Sequence, residues 1–264
     1  MEEYQIIHPS PLLAPYVKNY WFLKTDNVTQ PVQRIIPTGN VCLIFHKGEN
    51  MFSLSKGEKQ PKAFISGQST GYSNIQPGGT VDMISVTFQP HGFKAFFSLS
   101  VNQLLESTIS IEDISDPALT ELQSYLMDTP NISSCIQLIE AFLMKRLTIA
   151  KAYNFQRMNA VMQSINTGQT NIENLAETSC LGYKQFKRIF SEYIGINPKD
   201  FLRIIRFQRA LYMLQICPKT SLTQLALECG YYDQPHFIKE FKTFSGYTPS
   251  EYVSISTPYS DYFS

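Results

Sequence analysis

One segment occurs twice in the C-terminal part of the chain, and this repetition constrains the fold more than any other feature. Ile172-Glu173-Asn174-Leu175-Ala176 opens a stretch that continues through Phe186, Phe190, Gly195 and Pro198 to Phe201. Leu222-Thr223-Gln224-Leu225-Ala226 opens a second, which continues through Phe237, Phe241, Gly246 and Pro249 to Tyr252. The later landmarks are displaced by 51 positions, whereas Leu175 and Ala176 fall on Leu225 and Ala226 at a displacement of 50. The second copy therefore carries one extra residue between Ala226 and Phe237. A repeat of short helix, turn and second helix predicts two helix-turn-helix units in tandem.

In the first unit Asn171 is a suitable N-cap for a helix reaching Thr178, with Ile172, Leu175 and Ala176 facing inward. A turn around Ser179-Cys180-Leu181-Gly182 leads to a helix over about 183–193. Phe186, Ile189 and Phe190 form its apolar stripe, and Lys184, Lys187, Arg188 and Ser191 lie opposite. Apolar residues behind and long donors in front suit a helix that lies in the major groove of DNA. Pro198 opens a long helix to about Ile216, with Phe201, Leu202, Ile205, Ala210 and Leu214 expected inward. Arg203, Arg206 and Arg209 are left for solvent, phosphates or ion pairs.

The second unit follows the same plan. Ser221 can cap Leu222 to Glu228, Gly230 supplies the turn, where positive φ costs glycine least, and Asp233 can cap a helix over about 234–244. Phe237 and Phe241 face the core and Lys239 and Lys242 face out. Gln234 and His236 sit at the N-terminal end that reaches bases in this geometry. Lys242 fits a phosphate contact or a solvated face better than a base contact.

Residues from about 155 to 253 resemble the DNA-binding domain of the AraC/XylS family of bacterial transcription regulators. The resemblance rests on Leu175-Ala176, Phe186-x-Arg188-x-Phe190, Gly195-x-x-Pro198, Arg206-Phe207, Leu225-Ala226, Gly230-Tyr231, Phe237-x-x-x-Phe241-Lys242 and Gly246-x-x-Pro249-x-x-Tyr252. It implies two recognition helices in successive major-groove segments of double-stranded DNA, with Lys184, Lys187 and Arg188 reading in the first unit. Gln234, His236 and Lys239 are the matching residues in the second. RNA polymerase, a homodimeric partner and a small-molecule effector are the other partners it implies, in a cytoplasmic protein without a cofactor. One departure stands out: the family often has glycine in the first turn, where this chain has Cys180, with Gly182 two residues later.

The fold class expected is α+β in two domains. Residues 1–150 form a β-rich sandwich or barrel for sensing or dimerisation, 151–255 the helical domain and 256–264 a frayed tail. Short strands with Gly/Pro turns carry the first assignment. Val41 to Phe45 followed by Lys47-Gly48-Glu49-Asn50 predicts a hairpin into Met51 to Leu54. After Pro77-Gly78-Gly79, Asp82, Ile84, Val86 and Phe88 alternate with Val81, Met83, Ser85 and Thr87, as in a strand with one face on a core. Helices follow at about 117–128, with Leu119, Leu122 and Leu126 inward, and at about 132–147. The second has a stripe of Ile132, Ile136, Ile139, Leu143 and Leu147 that packs on its own domain or on a twin.

Composition narrows the alternatives. The net charge is zero, but Lys plus Arg against Asp plus Glu number 10 and 13 in residues 1–150, and 12 and 9 in 151–264, giving −3 and +3. The sign suits a DNA-binding C-terminal half. Five scattered cysteines without a CxxC pair suggest neither a disulfide framework nor a zinc site. No apolar run of about 18 residues is present, so no membrane partner is expected. The four histidines, His8, His46, His91 and His236, have no paired ligand spacing, and no G-x-S-x-G or phosphate loop occurs. An enzyme is thus the distant alternative, which requires a pocket gathering His46, His91 and a carboxylate.

Overall fold

The strand expected after Pro77-Gly78-Gly79 runs from Val81 to Phe88 (β9) and is buried on both faces. Ile84, Val86 and Phe88 enter one apolar core, and Val81 and Met83 enter another. The expectation of a single core face is corrected by the sheet's position between two layers. A computed structural model describes residues 2–26, 32–54, 56–147 and 152–255. The expected boundary at 150/151 and the expected tail 256–264 lie outside the described residues.

β9 is central in an antiparallel sheet of six strands. The others are β1 (Glu2–Ile7), β2 (Val17–Thr25), β4 (Cys42–His46), β7 (Ala63–Ser66) and β10 (Thr108–Ser110), in the order β1-β2-β9-β4-β7-β10. A smaller sheet holds β3 (Gln33–Ile35), β5 (Phe52–Ser53), β6 (Glu58–Lys59) and β8 (Ser73–Gln76), in the order β3-β8-β5-β6. Successive side chains of a strand point to opposite faces, so Tyr20 and Phe22 on β2 enter the first core while Trp21 and Leu23 enter the second. The architecture is a β-sandwich.

The expected hairpin from β4 into β5 is not formed. β4 pairs with β7 and β9, and β5 pairs with β6 and β8 in the other sheet. The backbone N–H groups of the intervening turn explain the difference. Lys47 and Gly48 donate to Asp82 O and Glu49 to Thr80 O, so the turn is bound to the end of β9 and the chain leaves the first sheet there.

Two helices cover the first core. Helix α1 (Pro117–Asp128) is capped by Asp116, whose Oδ1 accepts from Leu119 N at 3.2 Å, and Leu119, Leu122 and Leu126 are buried as expected. Helix α2 (Ile132–Arg146) buries Cys135, Ile139, Phe142 and Leu143. Ile132, Ile136 and Leu147 of the expected stripe are only half-buried but pack on the same core. The stripe packs on its own domain, one of the two places expected for it. An Asp116–Arg146 ion pair at 2.6 Å ties the start of α1 to the end of α2.

The helical half comprises α3 (Ala152–Asn166), α4 (Ile172–Thr178), α5 (Tyr183–Ile194), α6 (Pro198–Ile216), α7 (Leu222–Glu228), α8 (Gln234–Ser245) and α9 (Pro249–Ile255). Their inner faces share one core, which also takes in Ile36 from the sandwich. Among the described residues no helix is long and apolar enough to cross a membrane.

The halves also meet at Phe155 of α3, whose ring lies 4.7 Å from the rings of both Tyr16 and His91. Both ring nitrogens of His91 are buried without a hydrogen-bond partner. Burial accordingly lowers its pKa from 6.5 to about 4. The unfolded chain thus takes up the proton first as pH falls below about 6.5, and the folded state loses stability progressively until pH 4. At pH 5 the loss is roughly 2 kcal/mol. Replacing His91 by Phe keeps the ring on Phe155 and removes the titration. The unfolding midpoint of His91→Phe should therefore decline less between pH 7 and pH 5 than that of the wild type; parallel declines would refute the assignment.

Candidate nucleic-acid interface

Helix α4 starts at Asn171, whose Oδ1 accepts from Asn174 N at 2.9 Å, and buries Leu175 and Ala176. The chain then turns through Cys180, which adopts φ +53°, a conformation that favours glycine. In the second unit Gly230 holds the equivalent place at φ +80°. The helix pairs locate the extra residue. α4 and α7 start 50 positions apart and α5 and α8 start 51 apart, so it lies in the turn between Gly230 and Asp233. That turn exposes 87% of Tyr232.

Helix α5 buries Phe186, Ile189, Phe190, Tyr193 and Ile194. Lys184, Lys187 and Arg188 are exposed, with Ser191 half-buried one turn further along the same face. The three cations expected to read DNA are thus brought together. The Lys187 ammonium lies 5.4 Å from the centre of the Tyr183 ring. Arg188 has a side chain 69% exposed and stands 3.9 Å from Glu192, too loose a pair to remove it from solvent.

Helix α8 is capped by Asp233, whose Oδ1 accepts from His236 N at 2.8 Å. Its outward residues are Pro235, Lys239, Lys242 and Thr243, with Ile238 half-buried among them. Gln234 and His236 are half-buried and engaged within the protein. Gln234 Oε1 accepts from the Thr223 hydroxyl at 2.6 Å. His236 Nδ1 accepts from Tyr232 N at 3.4 Å, and its Nε2 is 3.9 Å from a Glu240 carboxylate oxygen. Lys239 is exposed on the outward face beside Lys242. The residues that sequence reasoning passed over are Pro235 as an outward residue, Ile238 and Thr243; shifting the α5 face by 51 positions finds the first two.

Glu240 was also missed. Its side chain is about 5% exposed, at the place that the apolar Ile189 holds in the first unit. Arg203 Nε donates to it at 2.8 Å, and Arg206 donates through Nη2 at 2.6 Å and Nε at 3.1 Å. Arg203 and Arg206, two of the three α6 arginines left open for phosphates, are thus engaged inside the domain, while Arg209 is exposed. The expected inward set of α6 is corrected in the same way. Ile204, Phe207 and Leu211 are buried with Phe201, Ala210 and Leu214, while Leu202 and Ile205 are only half-buried. A Cβ at Gly39 of the sandwich would stand 3.2 Å from the Phe201 ring and 3.6 Å from Ile205 Cδ1, so this side of α6 abuts the other domain.

A cavity of about 660 Å3 lies between the sheets of the sandwich and opens to solvent. Trp21, Ile44, Phe64 and Ile75 supply apolar lining, with Asn40 and Gln68 among the polar groups. His46 and His91 do not line it. His46 is buried against the Phe64 ring with Nε2 3.1 Å from Gln60 Oε1, and His91 lies at the Phe155 contact. Among the described residues, His46 and His91 are therefore not gathered with a carboxylate in one pocket.

Removing the charge of Glu240 leaves two guanidinium groups facing a poorer acceptor. Glu240→Gln should lower stability by about 2–3 kcal/mol, read as a fall in the denaturant midpoint at unchanged slope. A loss below about 0.5 kcal/mol, the usual size for a surface pair, would show the cluster to be unimportant.

Comparison with known proteins agrees with this geometry. Residues 175–254 match the family model described as a helix-turn-helix domain, and residues 5–110 match a domain of unknown function, DUF6597. A protein of Haemophilus influenzae named an uncharacterised HTH-type transcriptional regulator is 36% identical over 100 residues, 37% of this chain and 33% of that protein. The HTH-type transcriptional regulator ArgR of Pseudomonas aeruginosa is 33% identical over 95 residues, 34% of this chain and 29% of ArgR. The chain thus spans about a third of the length of these curated relatives. The crystal structure of ToxT from Vibrio cholerae aligns over 98% of both chains at 10% identity and a TM-score of 0.46. Residues 175–254 thus carry a helix-turn-helix domain whose two units share one plan of short helix, turn and second helix, and this part of the chain is similar to the DNA-binding domains of the AraC/XylS type.

Proposed function

We propose that this chain is a sequence-specific transcription regulator that inserts α5 and α8 into successive major-groove segments of double-stranded DNA. The observation that carries the reading is the match between the two outward faces. Lys184, Lys187, Arg188 and Ser191 of α5 correspond at 51 positions to Pro235, Ile238, Lys239 and Lys242 of α8, and both helices back onto one core. Lys184, Lys187, Arg188 and Lys239 are the proposed DNA contacts. Gln234 and His236 hold the N-terminal turn of α8 and reach the DNA from its edge. RNA polymerase is the protein partner that such a regulator requires at a promoter.

The faces differ in chemistry. The first offers long donors suited to guanine O6 and N7. The second sets Pro235 and Ile238, suited to thymine methyl groups, beside two lysines suited to phosphates. Selection of preferred sites from random duplexes by the full-length protein should enrich a bipartite site with unlike halves about 10 bp apart. Arg188→Ala should cost roughly 1–3 kcal/mol and relax one base position in the first half. Binding unchanged after truncation of both Lys187 and Arg188 would take α5 out of the reading role.

The sandwich is proposed to control this activity through a small effector rather than as a dimerisation module alone. Its cavity supports the reading, since the volume and the mixed lining are those of a small-molecule site. Screening small metabolites by their effect on the unfolding temperature should find a ligand that stabilises the wild type and fails to stabilise a cavity-filling Ser66→Trp variant. Equal stabilisation of both would place the ligand outside the cavity.

A further inference from the structure

The glycines that end the two reading helices stand 51 positions apart, and both are pressed against the β-sandwich. A Cβ at Gly195 would meet Val101 Cγ1 at 2.8 Å and Val101 O at 2.9 Å, with Gln68 Cγ at 3.2 Å. A Cβ at Gly246 would meet Arg34 Nη1 at 2.6 Å and the Tyr72 ring at 2.8 Å. The sandwich therefore grips the same point of each unit, and it links the two independently of α6.

The grip on the second unit is polar and directional. Arg34 Nη1 donates to Ser245 O at 3.0 Å, and its Nε donates to Asn74 Oδ1 at 3.0 Å. The guanidinium lies 4.4 Å from the centre of the Tyr72 ring and 4.0 Å from that of Tyr247. Ser245 O belongs to the last turn of α8, where carbonyls lack a partner within the helix and a cation is favoured. Tyr72 and Gln68 lie in one loop that is itself held. Gln68 Nε2 donates to Gly39 O at 2.8 Å, and Thr70 N donates to Glu106 Oε1 at 2.6 Å. One braced loop thus contributes to both grips.

We propose that Arg34 is a positioning residue for DNA recognition. It contacts no DNA. It fixes the C-terminal turn of α8 to the sandwich, so that sandwich and α6 together set the separation and angle of the reading helices and hence the half-site spacing accepted. The inference rests on the two-headed DNA reading proposed above.

The test uses full-length protein and duplexes that carry the selected bipartite site, the same site with one or two base pairs inserted or removed between the halves, and a single half-site. Each base pair turns one half by about 35° relative to the other. The wild type should discriminate sharply against altered spacing. Arg34→Ala should bind the correctly spaced duplex about tenfold more weakly, as expected when two linked sites lose their fixed geometry. It should tolerate altered spacing and retain the affinity for a single half-site. Arg34→Lys, which keeps the charge at Ser245 O without the stacked plane, should fall between them. Thermal unfolding controls for folding, and Tyr72→Ala is the second variant should Arg34→Ala fail to fold. Wild-type spacing discrimination in both variants would overturn the proposal. So would tighter binding to every duplex, since the contact would then be a brake. A wild-type protein that selects no bipartite duplex would remove the DNA reading itself, and this inference with it.

Discussion

The buried carboxylate of Glu240 sets the orientation of the second reading helix. Apolar packing is non-directional, and the phenylalanines behind α8 tolerate some rotation of the helix about its axis. Arg203 and Arg206 remove that freedom, because planar guanidinium groups donating to one carboxylate have few good geometries. A carboxylate withdrawn from water is costly unless it is paired. Any rotation that broke the cluster would leave that cost unmet. What α8 presents outward, from Pro235 to Thr243, follows from this constraint. The first unit has the buried, apolar Ile189 at the same place.

The sandwich owes its form to a sheet with an apolar core on each side. β2, β4, β7 and β9 send alternate residues to the helical layer and to the small sheet. The small sheet is too short to fill the second side, since β5 and β6 have two residues each. The cavity is the consequence. The segments that carry its rim also hold the helical domain. Pro37 O accepts from Gln208 Nε2 at 2.6 Å, Gly39 abuts Phe201, and Tyr72 stacks on Arg34. A group entering the cavity meets these segments from the other side.

The parts legible in the sequence are those fixed by local chemistry or by periodicity. Caps at Asn171, Ser221 and Asp233, positive φ at Gly230, and the stripes of α1 and α5 all depend on residues within a few positions of one another. The exposed cations of α5 were legible for the same reason. The β4–β5 pairing was misread because turn residues mark a reversal without saying to which sheet the chain returns. Glu240 was passed over because charged residues are rarely buried without a partner, and its partners lie 34 and 37 positions away. The signal was present in the repeat, which aligns Glu240 with a buried isoleucine. Arg34 gave no signal, since its contacts span 211 positions to Ser245.

Charge makes geometry decisive here. Of the twelve cations in residues 151–264, Arg203 and Arg206 are bound to Glu240, and five stand outward on the reading helices: Lys184, Lys187, Arg188, Lys239 and Lys242. A protein that neutralises few phosphates gains little from counterion release, and its sequence-independent hold on DNA is weak at physiological salt. On the DNA reading proposed above, affinity must then come from both helices engaging at once. Simultaneous engagement is effective only when the separation of the two heads matches the groove. A second, sandwich-based link between the units gives most to a domain of this kind, in which charge alone cannot compensate for a poorly placed helix.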